Sequence, residues 1–225
     1  MEPTIYKPSI YKGAGIYKSG AEGGGGGLPD TYVQLLYLRN KNDAWVKIPA
    51  NIYGWGVEMV FALNSFSSSS NSPYFFSHRG DNNDALSITN SDRRLDVNNH
   101  SYTTSYTLSS LNNFEQVKID IKQNNSSTIT GKINYSSNEI NVNGTSDGRT
   151  NGEYITIFRG SDNPFGSSKR LDIFYLKVFD TQQELCIDLV PAKRTSDGFF
   201  GFYDKLTNNF YACDGQNYLE AGPTI

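Results

Sequence analysis

The feature that most constrains the fold is a series of short apolar runs of period two, separated by clusters of Asn, Ser, Gly and Asp. In the clearest run, Val117, Ile119 and Ile121 alternate with charged residues. Because successive side chains of a strand point to opposite faces, this alternation predicts a strand with one buried face. Helical periodicity is nearly absent after the first 27 residues. The pattern therefore predicts an all-β fold.

Similar runs recur along the chain at short, regular spacing, and about a dozen such strands predict a two-sheet antiparallel sandwich. Two runs, at 57–63 and 171–179, are apolar at nearly every position, which predicts central strands covered on both faces. The polar stretch 98–110 indicates exposed loops or strands on an outer face. The other predicted strands cover residues 74–76, 85–88, 102–107, 128–134, 139–142, 154–158, 185–190, 199–203 and 209–212.

Size and charge limit the classes of function. Residues 28–225 suit one all-β domain, since sandwiches of about 200 to 250 residues commonly form a single domain. The net charge is −3, and three lysines against two glutamates in the first 27 residues leave −4 on the body, which predicts no nucleic-acid partner. With no apolar run near the roughly 20 residues of a membrane span and no apolar signal region, we expect no membrane partner and synthesis in the cytoplasm without a signal peptide. Cys186 and Cys213 are expected to be free thiols rather than a disulfide.

The first 27 residues have a different composition from the rest. Ile-Tyr-Lys occurs three times in residues 1–22, among helix-breaking Pro and Gly residues, and a polyglycine linker at 23–27 follows. The tyrosines recur every five or six residues, which fits no single helix face, so each Ile-Tyr pair would fill its own pocket on an extended path. We therefore predict an extended anchoring arm and a flexible linker. The anchoring residues are Ile5, Tyr6, Lys7, Ile10, Tyr11, Lys12, Ile16, Tyr17 and Lys18, and the linker is Gly23, Gly24, Gly25, Gly26 and Gly27.

Both ends of the body resemble one domain family. LPDTYVQLLYL at residues 28–38 is similar to the opening strand LPxxYxxLxYI of the concanavalin A-like, laminin-G-type jelly-roll domains of tailed-phage structural proteins. The closing block of that family resembles LDIFYLKVFD at 171–180, DLVPA at 188–192, GFYD at 201–204, NFY at 209–211 and AGP at 221–223. The middle of the chain diverges, and the segment 39–46 departs from the family pattern. The resemblance implies a jelly roll over residues 28–225.

The arm carries a second, narrower resemblance. Short Ile-Tyr-Lys segments before a polyglycine run and a jelly roll are similar to the head-fibre and capsid-decorating proteins of crAss-like tailed phages. The resemblance implies a structural protein on the capsid exterior of the virion, anchored by residues 1–22, with the jelly roll projecting outward as a homotrimer and contacting host or mucosal glycans. The alternatives are a tail-fibre or receptor-binding module, or a lectin-like glycan-binding or glycan-processing domain.

The sequence predicts that the protein is not an enzyme. Glycoside hydrolysis needs two carboxylates about 5 to 10 Å apart, which on a strand must share one face. The Glu-x-Asp-x-x-Glu signature that would supply them does not occur in the sequence. The two histidines, His78 and His100, are not accompanied by a Gly-x-Ser-x-Gly elbow, and no Cys-x-x-Cys indicates zinc. We expect no catalytic residues and no cofactor.

Two ligand sites remain as weaker predictions. Trp45, Tyr53 and Trp55 could form a stacking platform for sugar rings, although buried sandwich aromatics are the favoured interpretation. Asp81 and Asp84 form a weak calcium candidate, because two carboxylates and two amides fall short of the six to eight oxygens that calcium prefers. A polar hairpin loop explains that cluster better, so we expect no metal.

Overall fold

The structure is a computed structural model of the chain, and it is an all-β, two-sheet antiparallel jelly-roll sandwich. It describes residues 28–29, 31–41, 44–53, 56–64, 74–78, 84–89, 93–99, 102–123, 128–145, 151–158, 171–180, 182–213 and 219–225. The predicted fold class is confirmed for this part of the chain. The predicted arm and linker lie outside it.

Seventeen strands are present in the described ranges. In chain order they are β1 (Tyr32–Gln34), β2 (Leu38–Asn40), β3 (Val46–Tyr53), β4 (Gly56–Leu63), β5 (Tyr74–His78), β6 (Asp84–Thr89), β7 (Arg94–Asn99), β8 (Tyr102–Thr107), β9 (Gln116–Gln123), β10 (Thr128–Tyr135), β11 (Asn138–Thr145), β12 (Asn151–Ile157), β13 (Leu171–Phe179), β14 (Leu185–Arg194), β15 (Phe200–Asp204), β16 (Phe210–Ala212) and β17 (Leu219–Ala221).

The strands form two sheets. The large sheet has the order β11-β10-β9-β4-β13-β14-β15-β16, with β1, β2 and β17 attached to it, and the small sheet has the order β3-β12-β5-β6-β7-β8. The two uniformly apolar runs become β4 and β13, which pair with each other at the centre of the large sheet. Their prediction as central strands covered on both faces is confirmed, because Leu36 and Tyr37 pack on their outer face against Val60 and Phe174.

One core lies between the sheets. Alternate residues of β4 and β9 supply it, as the period-two pattern predicts, and aromatic rings fill its centre. Phe61 and Phe75 are in contact there, with ring centroids 4.9 Å apart. Since a buried side chain of this size stabilises a fold by about 1.5 to 3 kcal/mol relative to its exposed state, such aromatic pairs hold the two sheets together.

The two ends of the body lie side by side on the large sheet. Strand β1 pairs with the second half of β14, and β2 pairs with the first residues of β13. The C-terminal strand β17 then pairs with β2, and Leu35 forms a bridge with Thr224. The segments that resemble the opening and closing blocks of the phage domain family are therefore joined in one sheet. None of the described residues forms a helix long and apolar enough to cross a membrane.

Candidate functional site

Most of the predicted site residues lie outside the described part of the chain. The nine anchoring residues, the five linker glycines, Trp55 and Asp81 all fall there. Asp84 is the first residue of β6. The capsid-anchoring arm and the calcium candidate therefore stay predictions.

The structure does not bring Trp45 and Tyr53 together. Trp45 is half-buried and directly precedes β3, whereas Tyr53 is the last residue of that eight-residue strand. At about 3.3 Å per residue, the two backbones are roughly 26 Å apart along the strand. One sugar ring cannot contact both residues, and the glycan contact at these positions stays a prediction.

Charged side chains gather instead on the outer face of the large sheet. Asp120, Glu58, Lys177 and Asp188 are in register on the neighbouring strands β9, β4, β13 and β14. We call these four residues the central row. Neighbouring strands lie about 4.8 Å apart, so adjacent members are within reach of one ligand. The inward residues on either side, such as Val57 and Met59, are fully buried, which fixes the central row on the opposite face.

Glu58 is held in its ionised form. Its carboxylate accepts a hydrogen bond from the Tyr175 hydroxyl at 2.7 Å and lies 3.4 Å from the Lys118 ammonium. Burial acts to raise the pKa of Glu58, but the Tyr175 hydrogen bond and the charges of Lys118 and Lys177 outweigh burial and lower it. Glu58 is therefore a fixed negative charge at the centre of the sheet.

The pKa of Asp188 is shifted in the opposite direction from that of Glu58. Its Oδ1 is shielded from solvent and has no hydrogen-bond partner. Burial raises the pKa of Asp188, and the charges of Asp204 and Glu58 add to this, although Lys205 and Lys177 oppose it. Two carboxylates in one row thus have pKa values displaced in opposite directions, an arrangement that in proteins is enriched at functional sites.

A second charged cluster on the same face lies where the chain ends meet. The Arg39 guanidinium donates to both carboxylate oxygens of Asp172, at 2.5 and 2.7 Å, and Glu220 lies 3.8 Å from Arg39. The Asn64 side-chain oxygen accepts a hydrogen bond from the Arg39 guanidinium. Burial raises the pKa of Asp172, while the hydrogen bond and charge of Arg39 oppose it. All members of this cluster have partners within the chain, so we assign it the role of fastening β2 and β17 to β13.

The sequence contains a signal for the central row that motif searching misses. Glu58 is the single charged residue in the apolar strand β4, and Asp188 interrupts the apolar first half of β14. An isolated charge in a strand that is otherwise buried requires a partner or a function. The strand pattern cannot say which other charges share its face, because pairing between distant strands decides that.

Comparisons with known proteins bear on the fold alone. No protein-family model matches the chain, and no curated protein matches it. Solved structures that resemble it include a native heptameric SAP-like pentraxin from Limulus polyphemus, at 12% identity and a TM-score of 0.41, covering 85% of this chain and 94% of the pentraxin. They also include the peptidase SCP-B of the eqolisin family, at 11% identity and a TM-score of 0.36, covering 80% of this chain and 98% of the peptidase. Scytalido-glutamic peptidase matches at 8% identity and a TM-score of 0.26, covering 86% of this chain and 88% of the peptidase.

One prediction requires correction. The expectation that the protein is not an enzyme is corrected: the solved structures that resemble this sandwich include two glutamic peptidases, and their TM-scores of 0.36 and 0.26 assign no activity to this chain. The sequence analysis excluded glycoside hydrolysis by assuming that both carboxylates must come from the same strand. In the structure Glu58 and Asp188 reach one sheet face from β4 and β14, so a missing single-strand signature excludes nothing. The phage origin suggested by the resemblance receives no support from these comparisons.

Proposed function

We propose that the protein is a structural component of a virion, a head fibre or capsid-decorating protein, anchored by its N-terminal arm with the jelly roll projecting outward. The observation that carries the proposal is the three Ile-Tyr-Lys repeats before five glycines at residues 23–27. Each arm would carry three weak anchors, and a homotrimer would carry three arms. Once one anchor is bound, the others are held near their own sites, so the whole assembly binds more tightly than a single anchor.

The geometry of the body is consistent with attachment at one end. Leu28, the first described residue, packs on the outer face of the large sheet against Val190, Ala192 and Tyr203. Tyr32 continues this contact, with its ring centroid 4.8 Å from that of Tyr203. The body therefore begins, directly after the polyglycine linker, with a packed segment.

Particle binding tests the anchor. We expect the intact protein to bind virus particles that lack it, and a triple variant Tyr6→Ala, Tyr11→Ala, Tyr17→Ala to bind at least about tenfold more weakly, because each anchor loses its ring. A matched control, Thr4→Ala, Ser9→Ala, Ser19→Ala, changes three other arm residues and should bind as the intact protein does. Equal binding by the intact protein and the tyrosine variant would contradict the proposal.

Separate measurements test the homotrimer and the tail-fibre or receptor-binding alternative. Sedimentation equilibrium of the intact protein should give three times the monomer mass of 25.1 kDa. Attachment to isolated tails rather than to heads would favour the tail-fibre or receptor-binding alternative. A monomer that still binds heads would remove the trimer from the proposal and leave the anchor.

A further inference from the structure

The strands at the ends of the two sheets differ in how their outer edges are protected. In the strand orders these end strands are β11 and β16 of the large sheet and β3 and β8 of the small sheet. An end strand presents backbone N–H and C=O groups that can pair with another chain, and native proteins therefore block such edges. Among these four described strands, β8 is the one that carries no block.

The other three end strands are blocked in different ways. The Tyr106 hydroxyl accepts a hydrogen bond from the Asn143 amide of β11 at 3.0 Å and donates one to the Asn143 carbonyl at 3.2 Å, so this side chain occupies part of that edge. Strand β3 contains Pro49, which has no N–H to donate. Strand β16 is only three residues long and lies against β3. Each of these edges is therefore a poor template for a further strand.

Strand β8 is exposed along its length. Thr103, Ser105 and Thr107 are exposed, and the strand sequence YTTSYT contains no charged residue and no proline. Tyr102 at the start of the strand leaves 45% of its surface exposed. Threonine and tyrosine favour strand pairing, whereas a lysine on an edge would oppose it. The composition of β8 therefore favours the addition of a strand at this edge.

The hydrogen-bond pattern shows which backbone groups of β8 point away from the sheet. The Leu108 amide donates to the Arg93 carbonyl at 2.9 Å, directly beyond the paired residues of β8 and β7, so the backbone of Leu108 faces β7. Because this orientation alternates along an antiparallel strand, the backbone of Tyr106 also faces β7, whereas Ser105 and Thr107 point their backbone groups outward. No residue of the described chain supplies a partner for these outward groups.

Charge and side-chain type indicate what can pair with this edge. The two charged residues of the neighbouring strand β7, Arg94 and Asp96, pair with each other at 3.0 Å, and the Ser105 hydroxyl donates to Asp96 at 2.6 Å. The edge therefore presents no unbalanced charge to an incoming strand. A second copy of β8 running antiparallel brings Ser105 opposite Ser105, and Thr107 opposite Thr103 of the second copy. Hydroxyl side chains then meet across the strands, which is favourable, and no like charges meet.

We propose that β8 is a docking edge for a second copy of this chain, with the two β8 strands pairing antiparallel around a two-fold axis. Ser105 and Thr107 gain partners for their outward backbone groups, and the small sheets of the two copies become one continuous sheet. A two-fold contact joins copies in pairs, so it is not the contact of the proposed homotrimer, in which three copies are equivalent. It joins neighbouring units instead.

Association of the full-length protein at rising concentration tests the docking edge. We expect sedimentation velocity to show the smallest unit at low concentration and a particle of twice its mass at high concentration. Two double variants place like charges opposite each other in the pair: Thr103→Lys with Thr107→Lys, and Thr103→Glu with Thr107→Glu. Each should associate at least about tenfold more weakly than the intact protein, because like charges directly opposite destabilise paired strands. An equimolar mixture of the two should associate again, since each lysine then faces a glutamate.

A matched control places the same charges at the same spacing on the edge that Tyr106 blocks. Asn141 and Thr145 are exposed residues of β11, and Asn141→Lys with Thr145→Lys should associate as the intact protein does. Hydrogen exchange of the intact protein gives a second measurement. The amides of Ser105 and Thr107 should exchange more slowly at high concentration than at low concentration, because pairing protects them.

The outcomes separate the docking edge from the anchoring role of the arm. A single mass at every concentration would overturn the docking edge, and so would association of the two charged variants at the strength of the intact protein. Failure of the mixture to associate would show that β8 does not pair with its own copy. The arm variant Tyr6→Ala, Tyr11→Ala, Tyr17→Ala should still associate, and its failure would assign the contact to the arm. Thermal melts check the folding of every variant, and hydrogen exchange decides the point if a variant is unfolded.

Discussion

Replacing Arg39 with Met should destabilise the sandwich strongly, because it leaves the Asp172 carboxylate buried without its cation. The Asp172 side chain is 5% exposed, and the guanidinium satisfies both of its oxygens. Removing one partner of a buried ion pair costs about 3 to 5 kcal/mol. For a chain of this size each kcal/mol lowers the melting temperature by about 2 to 4 °C, so Arg39→Met should melt about 6 to 20 °C lower at pH 7.

The stability lost in the Arg39→Met variant should depend on pH in a definite direction. Burial already raises the pKa of Asp172, and the loss of Arg39 raises it further. A carboxyl group with a folded-state pKa above its unfolded value binds more protons when folded, so the variant regains stability as pH falls from the folded pKa toward the unfolded value near 3.9. Urea unfolding at pH 7 and pH 4.5 should therefore show a smaller difference from the intact protein at the lower pH.

A double variant separates the ion pair from the packing around it. Arg39→Met with Asp172→Leu removes both charges, and the second substitution should recover most of the lost stability, because no charge stays buried. The reasoning fails if Arg39→Met alone costs less than about 1 kcal/mol at pH 7, or if adding Asp172→Leu makes the protein less stable still.

Three further measurements test the structure elsewhere. Gly131→Ala should cost about 1 to 3 kcal/mol in urea unfolding, because the new Cβ would collide with the Asp120 carbonyl oxygen, and an unchanged unfolding midpoint would contradict this packing. Tyr175→Phe should cost about 1 kcal/mol at pH 7 and less below the folded pKa of Glu58, because the lost hydrogen bond stabilises the ionised carboxylate; a cost that does not change with pH would contradict this reason. Burial raises the pKa of Cys186, so its reaction with a disulfide reagent at pH 8 should be slower than that of free cysteine, and an equal rate would show that its thiol is not shielded.

The sequence predicted the strands that have a clear apolar pattern and missed those that lack one. Residues 102–107 and 171–179 were predicted with the bounds that the structure gives them. Strand β3 was missed because Pro49 interrupts its apolar pattern. The structure explains how a proline is tolerated there, since β3 is an edge strand and β12 is its one partner among the described strands. Strand β7 was missed because Leu95 and Val97 are its only apolar residues, too few to display a period.

The candidate site was less predictable than the fold. Period two tells which side chains of one strand share a face, but it cannot tell which strands are neighbours. Glu58, Asp120, Lys177 and Asp188 are far apart in the sequence, and only the strand order β9-β4-β13-β14 places them in one row. Motif searching looks for residues at fixed spacing, so a site assembled across a sheet escapes it.

Asp172 and Asp188 show why the environment, and not the residue type, separates a structural charge from a candidate functional one. Both interrupt apolar strands of the large sheet, face outward and have pKa values raised by burial. Asp172 receives two charged hydrogen bonds from Arg39, whereas Asp188 Oδ1 receives none. Since an unsatisfied buried acceptor lowers stability, Asp188 Oδ1 carries a cost that the Arg39 guanidinium removes at Asp172. The same reasoning predicts opposite effects on stability: replacing Asp172 removes the two charged hydrogen bonds with Arg39 and should lower the melting temperature. Asp188→Asn removes a charge whose Oδ1 is unpaired and should leave the melting temperature unchanged or higher.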